Sequence, residues 1–182
     1  MIAPVLIFAI GNESRGDDAL GPLLLRELDA WLKANALSDQ FELQEDFQLQ
    51  VEHAMDMRER QLVLFIDAGM DTRAPFDFYR AQTSDTQVLY SHALAPEALL
   101  KVYAQFYQES AQDVFILCVC GERFELGEGL SHPAVERLAL AFEFCKKLLQ
   151  TPEGSIWESL CMQKTVGELM SREDNLHSQA RC

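Results

Sequence analysis

Two aspartates stand side by side in the stretch Gly11-Asn12-Glu13-Ser14-Arg15-Gly16-Asp17-Asp18-Ala19-Leu20-Gly21, between an apolar run, Val5 to Ile10, and a helical pattern beginning at Leu20. Carboxylates where a strand hands over to a helix can do one of two jobs. They can accept hydrogen bonds from unpaired N–H groups of the first helical turn, where the helix dipole also favours negative charge. Or they can face a ligand, because ligands of open α/β sheets collect at the carboxyl ends of the strands. A doublet allows both, one carboxylate capping while its neighbour stays free. Gly11-Asn12 suits a turn with positive φ, and Gly16 permits a second sharp bend.

Two more ionisable groups stand out by position: Asp67, at the end of the apolar run Leu62 to Ile66, and His92, in a polar stretch over residues 84–94. If the two strands are parallel neighbours, Asp18 and Asp67 reach the same sheet edge, and His92 needs only a loop to join them. Two carboxylate oxygens and one imidazole nitrogen make an open site for Zn, Ni or a similar divalent ion, with positions left for substrate or water. The structural alternative makes Asp67 a loop acceptor and His92 a solvated side chain. Glu52 and His53 are extra ionisable groups in a loop expected to approach this edge, and helix-surface or loop solvation is the favoured reading of both.

The elements that must position these groups alternate along the chain. Val5 to Ile10 reads as a strand covered on both faces. Leu20, Leu23, Leu24, Leu28, Trp31 and Leu32 repeat at helical spacing. Phe41 to Glu45 reads as a second strand, and residues 48–59 as a turn and short helix. Leu62 to Ile66 is a third strand, ending at Asp67. Phe76 to Thr83 has the alternation of an edge or antiparallel strand. Pro96 suits the first turn of a helix running to about Tyr107, Val114 to Cys120 is a buried strand, and Ser131-His132-Pro133 opens a helix with an apolar stripe of Val135, Leu138, Phe142, Cys145, Leu148 and Leu149. This rhythm predicts an α/β fold, a three-layer α/β/α sandwich around a twisted, mainly parallel (mixed) sheet. Residues 1–150 are expected to form one domain. Residues 151–182 are expected to form a C-terminal extension, a docking helix followed by a frayed tail.

Composition narrows the partners. Across 182 residues, 29 acidic against 15 basic side chains give a net charge of -14, which opposes binding to a nucleic-acid backbone or an anionic membrane and favours cationic partners. The N-terminal apolar run lacks the basic flank and cleavage pattern of a signal peptide. Five cysteines without metal-ligand spacing fit a reducing cytoplasm. Cys118 and Cys120 share one face of a core strand with no histidine nearby in sequence, so they read as small buried hydrophobes and not as nucleophiles. No glycine-rich nucleotide loop is present.

Ile7-Phe8-Ala9-Ile10-Gly11-Asn12 with Gly16-Asp17-Asp18-Ala19-Leu20-Gly21-Pro22-Leu23-Leu24 resembles the opening motif of the [NiFe]-hydrogenase maturation endopeptidases: a strand, Gly-Asn, a short loop, an acidic pair, two residues and Gly. Leu64-Phe65-Ile66-Asp67-Ala68 is similar to their second strand-end motif, and Ser91-His92 stands where the family carries its histidine. The similarity runs in register from about residue 4 to 150. Gln48-Leu49-Gln50-Val51-Glu52-His53-Ala54-Met55-Asp56 and Phe124-Glu125-Leu126-Gly127-Glu128-Gly129-Leu130-Ser131 resemble members serving cytoplasmic, NAD-linked hydrogenases. Ala19 departs from the glycine often found after the acidic pair.

The resemblance implies an endopeptidase that removes the C-terminal peptide of a hydrogenase large-subunit precursor after nickel insertion. It implies that Asp18, Asp67 and His92 contact nickel carried by the substrate, that Asp17 is better placed to cap, and that no organic cofactor is needed. The competing expectation is a non-catalytic nickel-binding maturation chaperone on the same fold, using the same ligands.

Overall fold

The structure, a computed structural model, describes residues 2–83, 94–111 and 113–161. His92 and residues 162–182 of the expected C-terminal extension lie outside the described residues. The chain runs β1 (Val5–Ile10), a 3-10 turn (Gly16–Ala19), α1 (Leu20–Ala34), a second 3-10 turn (Ser38–Gln40), β2 (Phe41–Asp46), a third 3-10 turn (Val51–Ala54), β3 (Leu62–Gly69), β4 (Phe76–Arg80), α2 (Pro96–Tyr107), β5 (Asp113–Cys120), α3 (His132–Gln150) and α4 (Gly154–Ser159).

The sheet order is β2-β1-β3-β5-β4. The first four of these are parallel, and β4 pairs antiparallel at one edge, giving the mixed sheet expected. Alternation along the strands divides the core in two. Val5, Ile7, Leu64, Ile66, Phe115 and Leu117 face α1 and α3, whereas Leu6, Phe8, Val63, Phe65, Val114 and Ile116 face α2 and the 51–54 turn. Trp157 of α4 is fully buried on the first of these faces, packed against Phe78 and Phe115, and its indole N–H donates to the Leu148 carbonyl at 3.0 Å.

Several elements depart from the sequence reading in their extent or in the residues they bury. β3 continues to Gly69, because pairing with β5 carries through Asp67↔Cys118 to Gly69↔Cys120. β4 stops at Arg80, short of Thr83. On α3 the buried stripe runs through Ala134, Leu138, Ala141, Cys145, Leu148 and Leu149, and leaves Val135 53% exposed. Small Ala134 and Ala141 let the helix sit close, and Val135 lies about 100° around the axis from Ala134.

Candidate active site

β1 lies between β2 and β3, so the chain leaves β1 on one side to form β2 and returns on the other to form β3. That reversal opens a crevice beyond the carboxyl ends of β1 and β3. Asp18 follows β1 in the Gly16–Ala19 turn, and Asp67 lies near the end of β3, which pairs with β1 in parallel through Ala9↔Ile66. The two acids therefore meet at one sheet edge.

Two glycines make this junction possible. Gly11 has a φ of 145°, and a Cβ there would fall 2.0 Å from the Asp18 carbonyl oxygen. Gly21, in the first turn of α1, would place a Cβ 2.4 Å from the Ile10 carbonyl oxygen and 3.2 Å from that of Ile66. The helix thus rests directly on the ends of the two strands that present the acids. Gly21→Ala must push α1 off them. A loss of ~1–3 kcal/mol is expected from such overpacking, read as a lowered thermal midpoint; an unchanged midpoint would show that the junction is not tight.

The aspartate pair divides its work. Asp17 is fully buried, and its Oδ2 accepts from the Glu122 N–H at 2.7 Å, the Arg123 N–H at 3.0 Å and the Ser131 hydroxyl at 2.8 Å, while Oδ1 accepts from the Ser131 N–H at 2.7 Å. It does not cap its own turn, as the sequence suggested; it fastens the loop between β5 and α3, where Ser131 is itself the N-cap. Burial alone would raise its pKa, but these donors outweigh burial and hold it below the usual carboxylate value. Asp18 is half-buried, and its Oδ2 accepts from the Asn12 N–H at 3.0 Å. Among the described residues its Oδ1 has no hydrogen-bond donor.

Asp67 is tuned the other way. Its side chain leaves β3 towards the α2 face, and Oδ1 accepts only from the adjacent Ala68 N–H, at 2.7 Å. Burial raises its pKa to about 6; the Ala68 N–H opposes the rise, and the negative charges of Asp18 and Glu97 add to it. A carboxylate whose pKa is raised by burial and like charge at a crevice is a candidate functional group.

The sequence reading missed Glu97. It lies in the first turn of α2, close enough to act on Asp67, and accepts a hydrogen bond of 3.4 Å from the Tyr79 hydroxyl. The signal was Pro96-Glu97 itself: an acid in the first turn of a helix that starts beside this edge. Cys118 also stands beside Asp67. It pairs in register with Asp67, and its Sγ lies 2.9 Å from Thr72 Oγ1. Burial pushes the thiol up to about 12, so it is protonated at neutral pH and no nucleophile.

Neither extra loop group joins these acids. Glu52 is exposed. His53 is held rather than solvated: its Nδ1 accepts from the Gln50 N–H at 3.0 Å, its ring packs 4.7 Å from that of Phe8, and Nε2 lies 3.5 Å from Asp46 Oδ2. Among the described residues, no group of three or more His, Cys, Asp or Glu side chains is placed to hold a metal, and no helix is long and apolar enough to cross a membrane.

No family model matches the sequence, and no curated protein matches it. By structure, the chain has the fold of the hydrogenase maturation proteases. HycI from Thermococcus kodakarensis KOD1, a [NiFe] hydrogenase maturation protease, is similar with a TM-score of 0.64 and 20% identity, over 82% of this chain and 94% of that one. HybD, the hydrogenase maturating endopeptidase of E. coli, is similar with a TM-score of 0.62 and 20% identity, over 80% and 91%. The Escherichia coli endopeptidase HycI has a TM-score of 0.56 and 15% identity, over 79% and 90%.

Proposed function

We propose that this chain is a hydrogenase maturation endopeptidase, cutting the C-terminal peptide from a [NiFe]-hydrogenase large-subunit precursor once nickel is in place, in the subgroup serving cytoplasmic NAD-linked hydrogenases. The observation that carries this reading is the pairing of Asp18 and Asp67 at the crevice of a fold shared with named endopeptidases over most of both chains. The substrate brings the nickel. Asp18 and Asp67, with His92 from outside the described residues, are the ligands assigned to it, which fixes the scissile bond beside the metal. Nickel in the substrate acts as a Lewis acid on the carbonyl or on a bound water. With the Cys118 thiol protonated, the chain's own part is to orient the metal-bearing segment.

The test is to mix the purified protein with nickel-loaded and nickel-free precursor and follow loss of the C-terminal peptide by mass spectrometry. Two acids and one histidine make an open ligand set with positions left for the substrate, and so predict a protein that purifies without stoichiometric metal. Processing should follow nickel in the precursor even in excess zinc. Stoichiometric tightly held zinc, with cleavage of nickel-free precursor, would overturn this reading. Nickel binding without loss of the peptide would favour the non-catalytic chaperone.

A further inference from the structure

β2 is an edge strand: among the described residues its only strand neighbour is β1. The Gly11 N–H donates to the Asp46 carbonyl at 3.1 Å, so Glu42, Gln44 and Asp46 turn their backbone groups towards β1. Leu43 and Glu45 must then turn theirs outwards. The side chains of these same two residues line two adjoining clefts on the α1 side of the edge. One, of about 270 Å³, runs from Glu45 and Asp46 to Gly11 beside the Asp18 turn and ends on Phe47, 71% exposed. The other, of about 380 Å³, lies between Leu43 and α1, with Asp29 and Arg26 on its wall.

An unpaired strand edge with pockets at alternate side-chain positions is the geometry that captures an extended peptide by strand addition. The charge around it selects the occupant. Glu13, Asp29, Glu45 and Asp46 border the clefts, and among the described residues the one cation lining them, Arg26, is already paired with Glu13 at 2.8 Å. A second copy of this chain, with its net charge of -14, would be repelled; an extended segment carrying a basic side chain would not.

We infer that β2 is the docking edge for an extended, basic segment of the substrate, which adds to the sheet beside Leu43 and Glu45 and delivers the neighbouring chain to Asp18 and Asp67. This rests on the endopeptidase reading, since it makes the bound segment part of the precursor. The edge points the right way: its carboxyl end leads to the crevice.

Cleavage of nickel-loaded precursor by the full-length protein tests this with two variants. Glu45→Lys reverses the cleft charge on an exposed side chain, and Glu45→Pro removes an outward N–H that β1 does not use. Each should raise KM about tenfold or more with kcat within about twofold, because binding is lost and chemistry is not; circular dichroism melts check that the proline variant is folded. Hydrogen exchange of the Leu43 and Glu45 amides in the free protein should be fast. Unchanged KM in both variants overturns the docking edge while leaving the endopeptidase reading intact, and an effect from lysine alone overturns main-chain pairing. Slow exchange in the free protein assigns the edge to this chain's own segment. If the unaltered protein does not cut the precursor, the endopeptidase reading falls and the docking edge with it.

Discussion

Asp67→Asn is expected to abolish processing of the precursor and, at neutral pH, to make the isolated protein more stable. The asparagine Oδ1 can keep the hydrogen bond from Ala68, while the charge opposed by burial, Asp18 and Glu97 is gone. The pH dependence has a definite sign. The unfolded carboxyl ionises near 3.8 and the folded one only near about 6, so the folded state holds its proton longer. Stability is then unimpaired below 3.8, falls as pH rises between these values, and stays reduced above 6. A shift of this size corresponds to ~1–3 kcal/mol once solvent contact is allowed for. Urea denaturation from pH 4 to 7 should show the unaltered protein weakening relative to Asp67→Asn. A variant that is less stable at pH 7, or one that still cuts the precursor, would contradict the account.

Asp17→Ala should have the largest effect on folding. It strands the Ser131 N–H and hydroxyl in a buried place and the Glu122 and Arg123 N–H groups in a part-buried one. With each stranded donor carrying a penalty of ~1–3 kcal/mol, a total loss of about 3–5 kcal/mol is expected after partial relaxation. Because the Asp17 pKa is lowered in the fold, its charged form contributes fully at neutral pH. That contribution is lost only as pH falls below the ordinary carboxylate value towards the folded one. A melting temperature within a degree of the unaltered protein would refute the anchoring role.

The contrast between these neighbours explains what the sequence could and could not convey. Apolar runs and helical spacing are local, so β1, α1, α2 and β5 could be read directly, and parallel order then brought Asp18 and Asp67 to one edge. The division of labour within the aspartate pair was legible as a possibility. Its form was not, because the Ser131 partner lies 114 residues away and no periodicity records a contact at that range. Glu97 escaped for the same reason: its influence on Asp67 depends on where α2 begins in space. The extra residues of β3 were hidden because Asp67 and Gly69 look like a loop, and their strand geometry is imposed by pairing with Cys118 and Cys120. His53 looked like a solvated loop group because the Gln50 N–H and the Phe8 ring that hold it become neighbours only in the fold.

The burial of Trp157 bears on how the molecule is made. The layer on the α2 side draws its buried residues from positions up to Ile116, whereas the opposite layer needs Trp157 to close over Phe78 and Phe115. In a chain emerging from its N-terminus, the two layers therefore cannot mature together. One can be complete while α3 and α4 are still being synthesised, and the other remains an open apolar face until nearly the last described helix arrives. During that interval a chaperone or an early aggregate would meet the α1 side, not the side that carries Asp67.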